Sequence, residues 1–168
     1  MKAIIYTSNT GSTARYAKML ANELNLPVYS VEDAKREVLA GAEIIYLGWI
    51  MAGGIKGYSQ AAKRYHVCAV CGVGMGQSGT QIEEIRLKNK ISKDIPAFTL
   101  QGNFDLKKLH GVYRFMMNVM VKTAGKALAN KADRTPEEDD MLNMLAGDGN
   151  RVQIENLKPV IDWYHNVQ

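Results

Sequence analysis

Four hydroxyl residues, an asparagine and a glycine follow one another in SNTGST, residues 8–13. The stretch lies between the apolar run AIIYT and the segment ARYAKMLANEL, whose apolar residues recur at helical spacing. Where a strand gives way to a helix, the helix offers unpaired backbone N–H groups and the positive end of its dipole. The side chains of Ser8, Thr10, Ser12 and Thr13 add further donors. This is the chemistry of a phosphate cradle. The stretch lacks the lysine of a nucleotide-hydrolysing G-x-x-x-x-G-K-[ST] loop and the three glycines of a dinucleotide loop, so a phosphomonoester held without metal is the better match. Capping of the helix by Ser12 or Thr13 is the simpler alternative, but a cap needs only one hydroxyl.

Two other spacings invite chemistry. Cys68 and Cys71 form C-x-x-C inside HVCAVCGVGMG, which reads as a buried strand, where residues three apart point to opposite faces. A disulfide is disfavoured, and two small core residues are the expected reading over a reactive thiol or a metal site; two cysteines are too few for a closed zinc site. Gly74, Gly76 and Gly79 form G-x-G-x-x-G. A dinucleotide fingerprint belongs on a first strand, with an acidic residue about 20 positions on at the end of a second. Asp94 comes too early and precedes a strand, so a separate nicotinamide site is not expected.

These stretches must be positioned by the elements around them. Apolar, β-branched runs alternate with helical patterns: KAIIYTS, PVYSV, AEIIYLGW, HVCAVCGVG and IPAFTLQG read as strands one to five. TARYAKMLANEL, DAKREVL, GYSQAAKRY and GTQIEEIRLKNKI read as helices between them. Near-continuous apolar strands imply a parallel sheet covered on both faces. The expected fold is therefore α/β, a doubly wound domain whose ligands bind beyond the carboxyl ends of the strands, where strand order reverses. The 168 residues suit one compact domain, residues 1–168, and 46% hydrophobic with 23% charged residues is ordinary for a soluble chain. No signal-peptide pattern or membrane-length apolar run is visible, so the cytoplasm is the expected compartment. The net charge of +4 selects no partner by itself.

With its place after the first strand, Ser8-Asn9-Thr10-Gly11-Ser12-Thr13 resembles the flavodoxin phosphate loop, [ST]-x-T-G-x-[ST], which holds the phosphate of FMN. The resemblance implies a flavodoxin-like, five-stranded sheet in the order 2-1-3-4-5, FMN as cofactor, and two further loops gripping the isoalloxazine ring. One is GWIMAGGIKGY, residues 48–58, with Trp49, Ile50, Met51, Ala52 and Gly53 against the ring and Tyr58 as a lesser candidate. The other follows strand four, with Val73, Gly74, Met75 and Gly76 near the ring. Many flavodoxins carry an acidic or aromatic residue in these loops; the second loop here is small and apolar, and neither holds a carboxylate. Since negative charge disfavours an anionic reduced flavin, its absence predicts a less negative reduction potential.

After strand five the chain adds a helical segment at about 104–150 before the closing NLKPVIDWYHNV. Within it GVYRFMMNVMVKTAGKALA reads as a helix with one polar stripe, Arg114, Asn118, Lys122 and Lys126, on an otherwise apolar, Met-rich circumference. Either other elements cover both sides, or part is exposed for a partner. Residues 107–134 hold seven Lys or Arg and one acid, Asp133, a composition compatible with a redox protein, a quinone or a peripheral membrane contact through this helix. Gly102 followed by HGVYRFMMNVMVKTAG is similar to the extension of bacterial menaquinone-dependent protoporphyrinogen oxidases, which implies FMN-mediated oxidation of a porphyrinogen by a quinone. TPEEDDMLNML reads as a helix start with Thr135 as N-cap and structural acids. His66, His110 and His165 are scattered, no catalytic triad or metal set is argued, and nucleic-acid binding lacks a recognition motif. The expectation is an FMN-binding electron-transfer protein. The alternatives are an FMN-dependent oxidoreductase of the protoporphyrinogen oxidase type and a binding domain that has lost its flavin.

Overall fold

Alternation of apolar runs with amphipathic segments produces the expected layers. The computed structural model describes residues 1–103, 109, 111–147 and 149–167. Strands β1 (Ala3–Thr7), β2 (Val28–Ser30), β3 (Glu43–Met51), β5 (His66–Gly74) and β6 (Ala97–Gln101) run parallel in the order β2-β1-β3-β5-β6. This is the predicted 2-1-3-4-5 order, since the predicted fourth and fifth strands are β5 and β6. A sixth strand was not expected. The two-residue β4 (Gly54–Ile55) turns back antiparallel on the end of β3, pairing Ile50 with Ile55 and Met51 with Gly54. Its turn residues, Ala52 and Gly53, both have positive φ, 47° and 76°, as a two-residue hairpin with the twist of its strands requires. An alanine where asparagine is usual hid the turn.

Helices cover both faces. On one lie α1 (Ser12–Leu24) and α8 (Lys158–Asn166), where Tyr16, Leu20, Val160 and Tyr164 pack with Ile4, Ile45, Leu47, Cys71 and Val73 of the strands. On the other lie α2 (Val31–Glu37), α3 (Tyr58–Arg64) and α4 (Ile82–Asn89), where Ala34, Tyr58, Ala61 and Ile85 pack with Ile5, Ile44, Tyr46 and Val70. Each fully buried aliphatic side chain contributes about 1.5–3 kcal/mol, so the central strands are the stable frame from which the loops project.

One irregularity corrects the sequence reading of C-x-x-C. Opposite Ile44 and Ile45, β5 shifts register so that Val67 and Ala69 are the partners and Cys68 is an extra residue. Alternation slips there, and Val67 and Val70, three apart, join the same core cluster. Cys71 is buried and Cys68 half-buried, and both thiols are free. Burial pushes the Cys71 thiol up to about 12, leaving it an inert core residue.

The chain divides into two compact units, Met1–Gly102 with Val152–Gln168, and Asn103–Arg151. The second takes in the segment set off in the sequence at about 104–150. Its helix α5 (Gly111–Met120) continues through a π-turn (Val121–Gly125) into α6 (Lys126–Ala129). The Thr123 hydroxyl donates to the Val119 carbonyl at 2.9 Å at the point where the helix widens. Val112 and Phe115 of α5 are 63% and 69% exposed, and Met116 and Val119 nearly half, so this helix is not a core helix. Helix α7 (Pro136–Ala146) has the predicted start: Thr135 and Glu138 form a reciprocal capping box, with Pro136 in the first turn. Residues 104–108, 110 and 148, and with them His110, Lys107, Lys108 and the first residues of the predicted insertion, lie outside the described residues. No described helix is long and apolar enough to cross a membrane.

Candidate functional site

The parallel order brings the carboxyl ends of β1, β3, β5 and β6 side by side. Thr7 is the register partner of Gly48, Gly48 of Gly72, Trp49 of Val73, and Gly74 of Gln101. The three stretches singled out in the sequence thus leave one edge of one sheet, on both sides of the point where strand order reverses.

Ser8 to Gly11 form the turn from β1 into α1. Gly11 is the N-cap, with φ 104° and no side-chain cap, a conformation that residues with a Cβ rarely adopt. The capping alternative therefore fails: Ser12 and Thr13 lie in the first turn of the helix, both buried. Asn9 is exposed and Thr10 half-buried. The Ser8 hydroxyl is buried and has no hydrogen-bond partner among the described residues. A buried polar atom without a partner costs about 1–3 kcal/mol, and the great majority in folded proteins have one. A phosphate oxygen would supply that partner, so the loop fits the group.

The second stretch is a strand end and hairpin rather than a loop. Trp49 is half-buried, with the Lys56 ammonium 5.7 Å from its ring centre. Ile50 lies over Gly72 and Gly74 of β5, where an added Cβ would come within 2.8 Å and 3.2 Å of its Cδ1. Its side chain packs with the second core cluster. Met51 ends β3, and Ala52 and Gly53 form the hairpin tip. The tip is fixed by Asn89 of α4, whose amide donates to the Gly53 carbonyl at 2.8 Å and accepts from the Ile55 N–H at 2.7 Å.

The third stretch begins with Val73 and Gly74 as the last residues of β5, then Met75 and Gly76 in the bend that follows. This bend is tied to β6. The Gly79 N–H donates to the Thr99 carbonyl at 3.0 Å, the Thr99 hydroxyl donates to the Thr80 carbonyl at 2.7 Å, and the Gln101 N–H donates to the Ser78 hydroxyl at 2.9 Å. Gly102 closes the group: a Cβ there would stand 3.0 Å from Val73 and 3.1 Å from the Cβ of Ser12. The first turn of α1 and the ends of β5 and β6 are therefore in direct reach of one another.

Several supports were not found by sequence reasoning. Thr7, Tyr46 and Gly57 interlock beneath the hairpin, Asn89 holds its tip, and Tyr16 donates to the Gln101 carbonyl at 2.6 Å while accepting from the Asn156 side chain at 2.7 Å. Burial raises Tyr46 to about 12 and also raises Tyr16, so both remain neutral hydrogen-bonding groups near neutral pH. Only Lys56, the lone cation of residues 48–58, left a sequence signal. The arrangement sets a hydroxyl-rich helix start beside glycines and apolar side chains at one sheet edge, with no carboxylate in residues 48–58 or 73–81.

No curated protein matches the chain. Residues 3–129, about three quarters of its length, match the profile of the flavodoxin domain, from β1 through the α5–α6 helix. The chain belongs to the flavodoxin domain family.

Proposed function

We propose that this flavodoxin-domain protein binds FMN at the carboxyl edge of its sheet and transfers electrons between redox partners. The observation that carries the reading is the buried, unpartnered Ser8 hydroxyl beside the N-terminus of α1. In this reading the phosphate is held by Ser8, Asn9, Thr10, Gly11, Ser12 and Thr13. Trp49, Met51, Ala52 and Gly53 border the ring on one side, with Ile50 packing beneath them, and Val73, Gly74, Met75 and Gly76 border it on the other. Bound FMN would supply one- or two-electron redox chemistry. The chain's own residues bind it, keep water from the apolar walls and set the local charge. With Lys56 beside Trp49 and no carboxylate in either ring loop, that charge favours an anionic reduced form and so a less negative potential.

A second reading is an FMN-dependent oxidoreductase of the protoporphyrinogen oxidase type that passes electrons to a quinone. The exposed apolar residues Val112, Phe115, Met116 and Val119 of α5 favour it; a quinone, a membrane surface or a partner protein would cover them. In either case the proposed working compartment is the cytoplasm or its membrane face.

FMN titration of the apoprotein tests the shared part. Submicromolar binding, weakened at least tenfold by Thr10→Val and by Gly11→Ala, supports it; no binding, or binding indifferent to both changes, removes it. Oxidation of a porphyrinogen with a quinone acceptor and no second protein would favour the enzyme over the carrier.

A further inference from the structure

Three chemically capable residues that the proposed flavin site does not use gather at the opposite end of the sheet. Glu43 begins β3 and His66 begins β5, and they are register partners. Cys68 follows two residues later, as the extra residue of the bulge. A carboxylate oxygen of Glu43, a ring nitrogen of His66 and the Sγ of Cys68 all lie within 4.8 Å of one another. Glu43 and His66 are exposed and Cys68 is half-buried.

We propose that Glu43, His66 and Cys68 form a binding site for Zn²⁺ on the amino edge of the sheet, with its fourth position open to water. The donor set selects the ion. Sulfur and imidazole together suit a borderline-soft cation, whereas Mg²⁺ and Ca²⁺ take oxygen ligands. Zinc–ligand bonds of about 2.0–2.3 Å in a tetrahedron set ligand atoms roughly 3.3–3.8 Å apart. A contraction of about 1 Å therefore completes the site, within reach of rotations of the exposed Glu43 and His66 side chains.

The bulge is a second, independent observation. In a regular strand the side chains two residues apart stand roughly 7 Å from one another, too far for a shared ion. An inserted residue bends the strand and re-aims its side chain, and the Sγ of Cys68 comes within 3.8 Å of the His66 carbonyl oxygen. Glu43 also lies 3.7 Å from the N-terminal ammonium through one carboxylate oxygen, and a carboxylate has two oxygens to share between partners. Gly74 is six residues further along β5, about 20 Å away. The ion would thus tie β3 to β5 at their starts without touching the flavin loops, and the inference stands apart from the flavin reading.

Cobalt titration of the chelator-stripped chain, with its flavin if retained, tests this. The expected result is one equivalent of Co²⁺ with tetrahedral d–d bands at longer wavelength than flavin absorption and a thiolate charge-transfer band, displaced by Zn²⁺. Cys68→Ser abolishes the charge-transfer band, His66→Ala and Glu43→Gln each weaken binding at least tenfold, and Cys71→Ala changes neither. Zn²⁺ raises the melting temperature of the wild-type chain but not that of Cys68→Ser. Absence of stoichiometric binding, or a charge-transfer band that survives Cys68→Ser, overturns the proposal. Should Cys68→Ser fail to fold, unaltered affinity in both His66→Ala and Glu43→Gln overturns it equally.

Discussion

The hydroxyl of Tyr46 stands 2.7 Å from that of Thr7 and donates to the Lys56 carbonyl at 2.7 Å, so Thr7 must donate to Tyr46. Two strands and the hairpin return are joined through one buried phenol. Gly57, with φ 80°, presses directly on both hydroxyls, and a Cβ there would collide with them. Gly57→Ala combines left-handed backbone strain with that collision and should cost more than about 2 kcal/mol. Tyr46→Phe, which strands a hydroxyl and a carbonyl, should cost about 1–3 kcal/mol. In urea unfolding the double variant should lose less than the sum, because Phe removes one atom of the clash. Strict additivity would show that the contact is not the source of the loss.

The hairpin tip yields a pair of opposite signs. Ala52 holds φ 47° and is exposed, so Ala52→Asn, a residue that tolerates this region, should stabilise by roughly 0.5–1 kcal/mol. Asn89→Ala removes the bonds to Gly53 and Ile55 and should destabilise by about 1–3 kcal/mol. Thermal melts of the two variants measure both, and a fall in melting temperature for Ala52→Asn would contradict the assigned turn.

The sheet was legible because its apolar strands, buried in β1, β3 and β5 and half-buried at the β2 edge, leave period and composition signals from AIIYT to IPAFTL. The phosphate loop was legible because one hydroxyl-rich run does its chemistry within six residues. What escaped was the pairing of distant groups: Asn89 with Gly53, Tyr46 with Thr7, Ser78 with Gln101. Such pairs have no local pattern, since each partner alone is an ordinary polar residue. The Cys68 bulge escaped for a related reason, because an inserted residue in an apolar run preserves composition while breaking alternation. The exposure of α5 was open in the sequence, where an apolar circumference reads equally as buried or as awaiting a partner.

Stability should fall at alkaline pH for an identifiable reason. Burial raises Cys71 from 9.0 and Tyr46 from 10.0, each to about 12. Their neutral forms are favoured by folding, so this contribution is complete below pH 9 and is lost as pH rises toward 12. Unfolding free energies measured in urea should begin to fall near pH 9 and steepen above 10. Cys71→Ala and Tyr46→Phe should each flatten the slope, and an unchanged slope in both would assign the loss to other groups.

Charge at the ring loops should set the potential. If FMN binds beside Trp49, replacing the nearby cation by Lys56→Glu changes the local charge by two units. The midpoint potential of bound FMN should then become more negative, on the order of tens of millivolts at low salt. Lys56→Gln should give about half the shift. Equal potentials in all three proteins by dye equilibration would place the ring elsewhere.

The sharpest test of the phosphate cradle exploits a conflict between stability and binding. Removing a buried hydroxyl that has no partner abolishes a desolvation cost, so Ser8→Ala should leave the apoprotein as stable as the wild type or stabilise it by up to about 1 kcal/mol. The same change deprives a phosphate oxygen of its donor, and a hydrogen bond to a charged group contributes about 1.5–3 kcal/mol. FMN affinity should therefore fall roughly tenfold to a hundredfold while apoprotein stability holds or rises. Gly11→Ala behaves differently: nothing lies near its Cβ, but φ 104° is strained for alanine, so apoprotein stability should fall by about 1–2 kcal/mol together with affinity. Calorimetric titration and urea unfolding of the two variants separate the cases. A Ser8→Ala protein that is less stable and binds FMN as tightly as the wild type would show that this hydroxyl serves the fold rather than the ligand.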